Sequence, residues 1–405
     1  MSLRILFVDD EPRLLEGLQR SLRPLRKEWS TAFAPGGEEA LAMLAAEPFD
    51  VIVTDMRMPG MDGAALLAQV SLRHPDVLRM VLSGQSDLES VVRSAGVTHQ
   101  YLAKPCAIDT LKNAVNRAVA LRDLLASSPL QQLVSRLGSI PSVPPVYLEL
   151  MQCLKSQDAS IEKVSALVRK DMGMTAKVLQ LVNSSLGASG RITSAADAVA
   201  YLGLDTIRAL VLTLHAFSGF QAGGAANFSI EALWRHSLAT GALAERIIRS
   251  LPSATAAEHD QMRMVGLLHD IGRLVLAANL PEGYEQAHRL ARQEGIAHWE
   301  AERQVFGASH AEVGAYLLGL WGLPEPIVEA VAYHHAPGNC PHPASAMLTA
   351  LHVADALESA AQPKDPESLH TGPDLVYLAG AGAAGRLDEW RSLSAQIPAE
   401  EVACG

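Results

Sequence analysis

The chain has 405 residues, more than one hydrophobic core normally serves, so two or three domains are expected and a small stapled scaffold is excluded. Hydrophobic residues make up 49% and charged residues 19%, a globular balance that excludes a disordered or low-complexity chain. With 33 basic and 44 acidic side chains the net charge is −11, which leaves no general phosphate-neutralising surface and argues against direct nucleic-acid binding.

The N-terminal MSLRILFVDD has neither the basic region nor the long apolar stretch of a signal peptide and enters a strand-like run at once. The four cysteines, Cys106, Cys153, Cys340 and Cys404, show no CxxC spacing, so neither a disulfide framework nor a thiolate zinc site is expected, and a cytoplasmic location fits. The most apolar long region, 195 to 220, is interrupted by Asp197, Asp205 and Arg208, so no membrane insertion is expected.

Split after residue 122, the charges are uneven: 14 basic against 15 acidic residues give −1 before it, and 19 against 29 give −10 after it. Of 14 histidines only His74 and His99 lie in the first part, which concentrates imidazole chemistry downstream. The first part alternates β-rich runs (Ile5 to Val8, Thr31 to Ala34, Val51 to Thr54, Val77 to Leu82, Tyr101 to Ala103) with helical patterns. Five such strands with helical crossovers predict an α/β domain with a doubly wound, five-stranded parallel sheet. From Ile108 to Ala126 apolar residues recur at helical spacing until Ser127, Ser128 and Pro129. Beyond Gly138 to Pro145 the chain reads as helix after helix, for example Ile161 to Val168, Ala232 to Ile248, Met262 to Ala277 and Ile327 to Tyr333, with no convincing strand. The expected division is 1–122, a helical linker 123–138, an all-α domain 139–360, and a C-terminal helical tail 361–405 with a helix at Leu387 to Gln396.

At the predicted strand ends stand Asp9, Asp10, Asp55, Ser83 and Lys104, where ligands of such sheets sit. Singly, Asp9 and Asp10 read as helix caps, Lys104 as a surface ion-pair partner and nearby Tyr101 as a core aromatic. Together, three carboxylates call for a compensating cation, and a hard ion such as Mg²⁺ suits them. Lys104 and Ser83 could then hold a phosphoryl group on Asp55.

VDDE at 8–11, DMRMPGMDG at 55–63, LSG at 82–84 and YLAKP at 101–105 resemble the receiver domain of two-component response regulators. The resemblance, over residues 3 to about 122, implies a flavodoxin-like fold with Asp55 as phosphoacceptor. Asp10 and Asp55 would be Mg²⁺ ligands with Asp9 in support, Lys104 the phosphoryl partner, and Ser83 and Tyr101 the switch pair. It also implies a cognate histidine kinase or phosphotransfer protein as donor.

In the second part, His269 and Asp270 are adjacent in the apolar run GLLHDIGRL, and burying both is costly unless they are paired or bound to metal. His236, His310, His334, His335, and His352 with Asp355 flank them; His352 and Asp355, three apart, share a helix face. Imidazole and carboxylate ligands from several helices suit a transition metal: Fe, Mn, Ni or Zn. The order His, His-Asp, Asp resembles the HD superfamily of metal-dependent phosphohydrolases. That likeness puts His236, His269, Asp270 and Asp355 in the primary ligand positions, and His310, His334 and His335 in those of the extra ligands of two-metal members. SIPSVPPVYLELMQCL at 139–154, VLQLVNSSLG at 178–187, AADAVAYLGLDTIRALVL at 195–212, LWRHS, GLLHDIGRLVL, WGLPEPI at 321–327 and the tail RLDEW resemble the HDOD branch, whose members are regarded as regulatory and often lack the full ligand set. This chain departs from that branch in keeping the set. It departs from the cyclic-dinucleotide hydrolase branch in having APGNCPHPAS, without GYP, after His334-His335. It also carries Arg273 in place of the lysine of HDxGK, which makes Arg273 a candidate phosphate contact. His259, His288, His298, His342 and His370 fall outside the pattern and read as surface or capping residues.

Two functions from different classes follow: a phosphorylation-controlled response regulator whose HDOD module binds a downstream protein, or a receiver-gated phosphodiesterase acting on a nucleotide or cyclic dinucleotide. The missing GYP favours the first and the full His/Asp set the second; the signalling reading is preferred because ligands without a recognisable substrate pocket specify no reaction. No catalytic residue is assigned, and a homodimer stays open.

Overall fold

A computed structural model describes residues 2–83, 97–123, 130, 140–142, 149–150, 153–154, 159–186, 192–212, 217–219, 228–320, 323–342, 345–361 and 372–396. The expected linker falls mostly outside these residues, as do the side chains of Ser83 and Tyr101.

The first part is the expected parallel sheet. Strands β1 (Leu3–Val8), β2 (Trp29–Ala34), β3 (Val51–Asp55), β4 (Leu78–Ser83) and β5 (Gln100–Ala103) lie in the order β2-β1-β3-β4-β5. Ile5 to Val8 and Val51 to Thr54 are buried without alternation, as a sheet covered on both faces requires. Helices α1 (Pro12–Leu22), α2 (Gly37–Ala46), α3 (Gly63–Arg73) and α4 (Ile108–Asp123) accompany it. Register aligns the strand ends: Val8 pairs with Thr54, Asp55 with Leu82, and Ser83 with Ala103. Asp9, Asp55 and Lys104 therefore share one carboxyl edge, at the point where the strand order reverses. Gly63 is required there, since a Cβ would come 2.3 Å from the Asp55 carbonyl.

The second part is mostly helical: α5 (Ile161–Val168), α6 (Met172–Leu186), α7 (Ala195–Leu212), α8 (Ile230–Ser250), α9 (Ala256–Leu268), α10 (Ile271–Asn279), α11 (Pro281–Glu294), α12 (His298–Phe306), α13 (His310–Leu320), α14 (Glu325–Tyr333) and α15 (Ala346–Ala360). The tail adds α16 (Leu375–Gly380) and α17 (Leu387–Ser394). Trp390 is fully buried, and its Nε1 donates to Ser250 Oγ at 2.9 Å, which docks α17 on the end of α8.

Two local expectations change. The part is not wholly helical, because Ile140–Ser142 (β6) pairs in parallel with Phe217–Gly219 (β7); three-residue strands, one containing Pro141, are too short for periodicity to register. The apolar run from Met262 to Ala277 is not one helix either. It divides at His269 and Asp270, the latter at φ −99°, ψ 13°. On one helix, adjacent side chains diverge by about 100°; the break lets both face a single point.

Candidate functional site

The pocket of the first part is built from strand ends. Lys104 Nζ donates to Asp9 Oδ2 at 2.8 Å and pairs also with Asp55 Oδ1. The loops are tied by their own backbone: Glu11 N donates to Asp9 Oδ1 at 2.9 Å and Arg57 N to Asp55 Oδ2 at 2.8 Å. Burial would lower the Lys104 pKa, but hydrogen bonds to Asp55 and Asp9 outweigh it and raise it above the ordinary value, so the ammonium is retained. Asp10 is half-buried at the same edge. Three carboxylates and one ammonium leave a net negative, oxygen-rich pocket that fits a hard divalent cation.

The second centre gathers seven side chains from five places in the chain. His236 on α8 and Asp355 on α15 meet at 3.0 Å (Nε2 to Oδ1). His269 Nε2 lies 3.5 Å from Asp270 Oδ2 and 3.6 Å from Asp355 Oδ1. His310 Nε2, at the start of α13, is 3.2 Å from Asp270 Oδ1, and His334 Nε2, just after α14, is 3.7 Å from the same oxygen. His335 Nδ1 is 3.5 Å from Asp355 Oδ2, and its ring stacks on Trp299 with centroids 5.9 Å apart and planes 7° apart. All seven residues that the sequence offers as ligands are therefore brought together.

Ring nitrogens are committed in a consistent way. His269 Nδ1 donates to the Gly266 carbonyl at 2.6 Å, His334 Nδ1 to the Val331 carbonyl at 2.7 Å, and His310 Nδ1 to Glu302 Oε2 at 2.6 Å. Each thereby turns Nε2 toward the carboxylates, the arrangement that metal-binding imidazoles use. His269 Nε2, His334 Nε2 and Asp270 Oδ1 are buried with no hydrogen-bond partner. Donors about 2.0–2.2 Å from a shared ion stand about 3–3.5 Å apart, close to the separations found. The residues fit a transition metal. Asp270 lies between two groups, one with His236 and His269 and one with His310, His334 and His335.

Electrostatics divide the imidazoles. Burial would lower the His310 pKa, yet Glu302 and Asp270 push it up to about 9, and His269 is raised against burial by Asp270 and Asp355. Burial drives His334 below the ordinary value and His335 well below it. Burial would raise the Asp270 carboxyl, but His269, Arg273 and His310 hold it well below the carboxylate range.

Three residues differ from their sequence reading. Arg273, offered as a phosphate contact, is 9% exposed and donates through Nη1 to Asp270 Oδ2 at 2.8 Å, buttressing the centre from behind. His288 and His298 are not surface residues; they are 2% and 3% exposed. With Glu302 and Tyr284 they form a polar layer behind His310. The i,i+4 spacing of His298 and Glu302 was the available signal, but polar helices such as α11 and α12 look solvent-facing when only one side is buried. His352 joins the neighbourhood without being a ligand: Nδ1 donates to the His334 carbonyl at 2.6 Å and Nε2 accepts from Asp374 N at 2.8 Å.

A parallel sheet with an acidic, lysine-bridged edge, joined to helices around a His/Asp centre, defines a receiver coupled to an HD-like module. Family models agree: the response regulator receiver domain matches residues 5–116 and the HDOD domain residues 140–337. The chain thus carries a response regulator receiver domain followed by an HDOD domain. An uncharacterized protein of Treponema pallidum is 26% identical over 52% of this chain and 40% of its own length. The hydrogenase transcriptional regulatory protein HoxA of Cupriavidus necator is 37% identical over 30% of this chain and 25% of its own. The chain thus spans well under half the length of these curated relatives. Among solved structures, the MmoQ response regulator of Methylococcus capsulatus is 24% identical, with 63% of this chain and 98% of that one covered, at a TM-score of 0.46. No described helix is long and apolar enough to cross a membrane.

Proposed function

We propose that this response regulator accepts a phosphoryl group on Asp55 from a histidine kinase or phosphotransfer protein and thereby switches an HDOD module that binds a downstream protein, in the cytoplasm and without turnover. The observation that carries the reading is Lys104 bridging Asp9 and Asp55 at the carboxyl edge of the sheet. An Asp55 carboxylate oxygen attacks the phosphorus of the donor phosphohistidine, the P–N bond breaks, and the imidazole departs. Lys104 is within reach of the transferred oxygens, and Asp9, Asp10 and Asp55 would hold Mg²⁺, which neutralises phosphoryl charge when bound. The working division of the chain is 1–122, 123–138, 139–360 and 361–405.

In the helical module, His236, His269, Asp270 and Asp355, with His310, His334 and His335 beside them, would hold Fe, Mn, Ni or Zn. The converging set also supports a second reading, a receiver-gated metal-dependent phosphodiesterase. Arg273 weighs against it, since its guanidinium is occupied by Asp270 and is nearly buried. A phosphodonor with Mg²⁺ is expected to label the wild type and leave Asp55→Asn unlabelled; full labelling of the variant would refute the receiver reading. Elemental analysis after reconstitution, joined to a nucleotide and cyclic-dinucleotide hydrolysis screen, separates the two outputs: bound metal without hydrolysis supports the signalling module, and turnover lost in Asp270→Ala supports the enzyme.

A further inference from the structure

We infer that Glu302, on α12, is a positioning residue for the His/Asp centre, fixing which nitrogen of His310 carries its proton and where the other one points. This rests on the reading of that centre as a metal site. Glu302 is fully buried, and its Oε2 accepts twice from one residue, from His310 N at 2.7 Å and from His310 Nδ1 at 2.6 Å. Two bonds to one residue fix both the ring plane and the start of α13. The opposite face of the imidazole is then committed: Nε2 lies 3.2 Å from Asp270 Oδ1 and 2.8 Å from His335 Nε2.

The need for such a residue follows from where His310 sits. His269 and His334 each follow the last residue of a helix, so the carbonyl three residues back, of Gly266 or Val331, receives Nδ1–H. His310 is the first residue of α13 and has no preceding turn of that helix to turn back to. A side chain from another helix supplies the acceptor instead. A carboxylate also does what a carbonyl cannot: its full charge strengthens the hydrogen bond and makes the imidazole a better donor through Nε2. The other oxygen of Glu302, Oε1, lies 3.2 Å from His298 Nδ1, and the Tyr284 ring is 5.1 Å from that of His298. Arg273, which holds Asp270 Oδ2, also contacts Tyr284. Asp270 is thus held on one oxygen through Arg273 and approached on the other by His310, with one polar layer behind both.

The test uses the full chain as wild type, Glu302→Gln and Glu302→Ala, stripped with chelator and titrated with Co²⁺ and Zn²⁺ against a competing chelator. Loss of the charge in Glu302→Gln is expected to weaken binding on the His310 side about 10–100-fold, and Glu302→Ala at least as much, with the visible Co²⁺ spectrum of the His236, His269 and Asp355 side unchanged. Wild-type affinity in Glu302→Gln would overturn the inference. So would an additional ion lost equally in Glu302→Gln and His298→Ala, because Glu302 would then be a ligand in its own right. A second readout needs no metal: the His310 Nδ1–H proton, assigned by its loss in His310→Asn, is expected far downfield and slowly exchanging in wild type, shifted upfield in Glu302→Gln and absent in Glu302→Ala. If the wild type binds neither metal while this proton behaves as described, the metal reading fails and the tether stands; a proton indifferent to both substitutions sinks the tether.

Discussion

Lys104 is the residue on which the receiver pocket turns, because it alone among the described side chains is seen to compensate both Asp9 and Asp55. Lys104→Ala leaves these carboxylates facing one another and is expected to lower stability by about 1.5–3 kcal/mol, the range for hydrogen bonds to charged groups. Millimolar Mg²⁺ should restore part of the loss, since a divalent ion replaces the missing charge. Denaturant unfolding with and without Mg²⁺ measures both; a midpoint unmoved by the substitution would defeat the expectation. These pocket residues were legible in the sequence because parallel topology sends every strand end to one edge, whatever the side chains do. The partners of the helical centre were less so. Its seven candidate ligands stand out as polar residues in apolar runs or as neighbouring histidines, whereas Glu302 and His298 sit in the polar segment HWEAERQVF, where nothing distinguishes an inward carboxylate from a solvated one.

Among the elements, the crossing of α10 and α13 sets the geometry of the centre. Gly272, two residues after Asp270, meets the first turn of α13 so closely that an added Cβ would lie 2.0 Å from the His310 carbonyl and 2.8 Å from Gly314 N. Both contacts are backbone and cannot swing aside. Gly272→Ala is therefore expected to cost about 1–3 kcal/mol or more, as overpacking does, and to lower metal uptake by separating Asp270 from His310. Gly338→Ala, whose new Cβ meets open space, should stay within about 0.5 kcal/mol of wild type. Thermal unfolding compares them, and equal midpoints would remove the crossing from the account. Helix existence was readable from period-3.6 patterns, and the five strands of the first sheet fell within about two residues of expectation, whereas β6 and β7 did not register. The break at His269 and Asp270 was not readable, because neither residue is a helix breaker; tertiary demand on their side chains interrupts an apolar pattern that itself continues.

At the scale of the whole molecule, α4 of the receiver packs against α13 and β5 against α6. Helix α13 begins with His310, so the receiver touches an element that also enters the helical centre. Phosphorylation should therefore alter amide protection beyond the receiver. With a stable phosphoryl mimic, hydrogen exchange is expected to change in α6 and α13 as well as around β5 in wild type, and in none of them in Asp55→Asn; changes confined to residues before 126 would make the domains independent. Coupling of this kind is reciprocal, so ions bound in the helical module should shift affinity for the mimic by the same factor. The molecule also carries its own means of watching both ends. Of five tryptophans, Trp29 is buried at the start of β2, Trp390 is buried in the tail, and Trp299 lies flat against His335. The indoles emit from separate neighbourhoods, and only the last of these three stacks on a candidate ligand ring. An ion with an unfilled d shell held by His335 would darken that one emitter at contact range while Trp29 and Trp390 stay bright, giving an unlabelled optical signal from inside the centre.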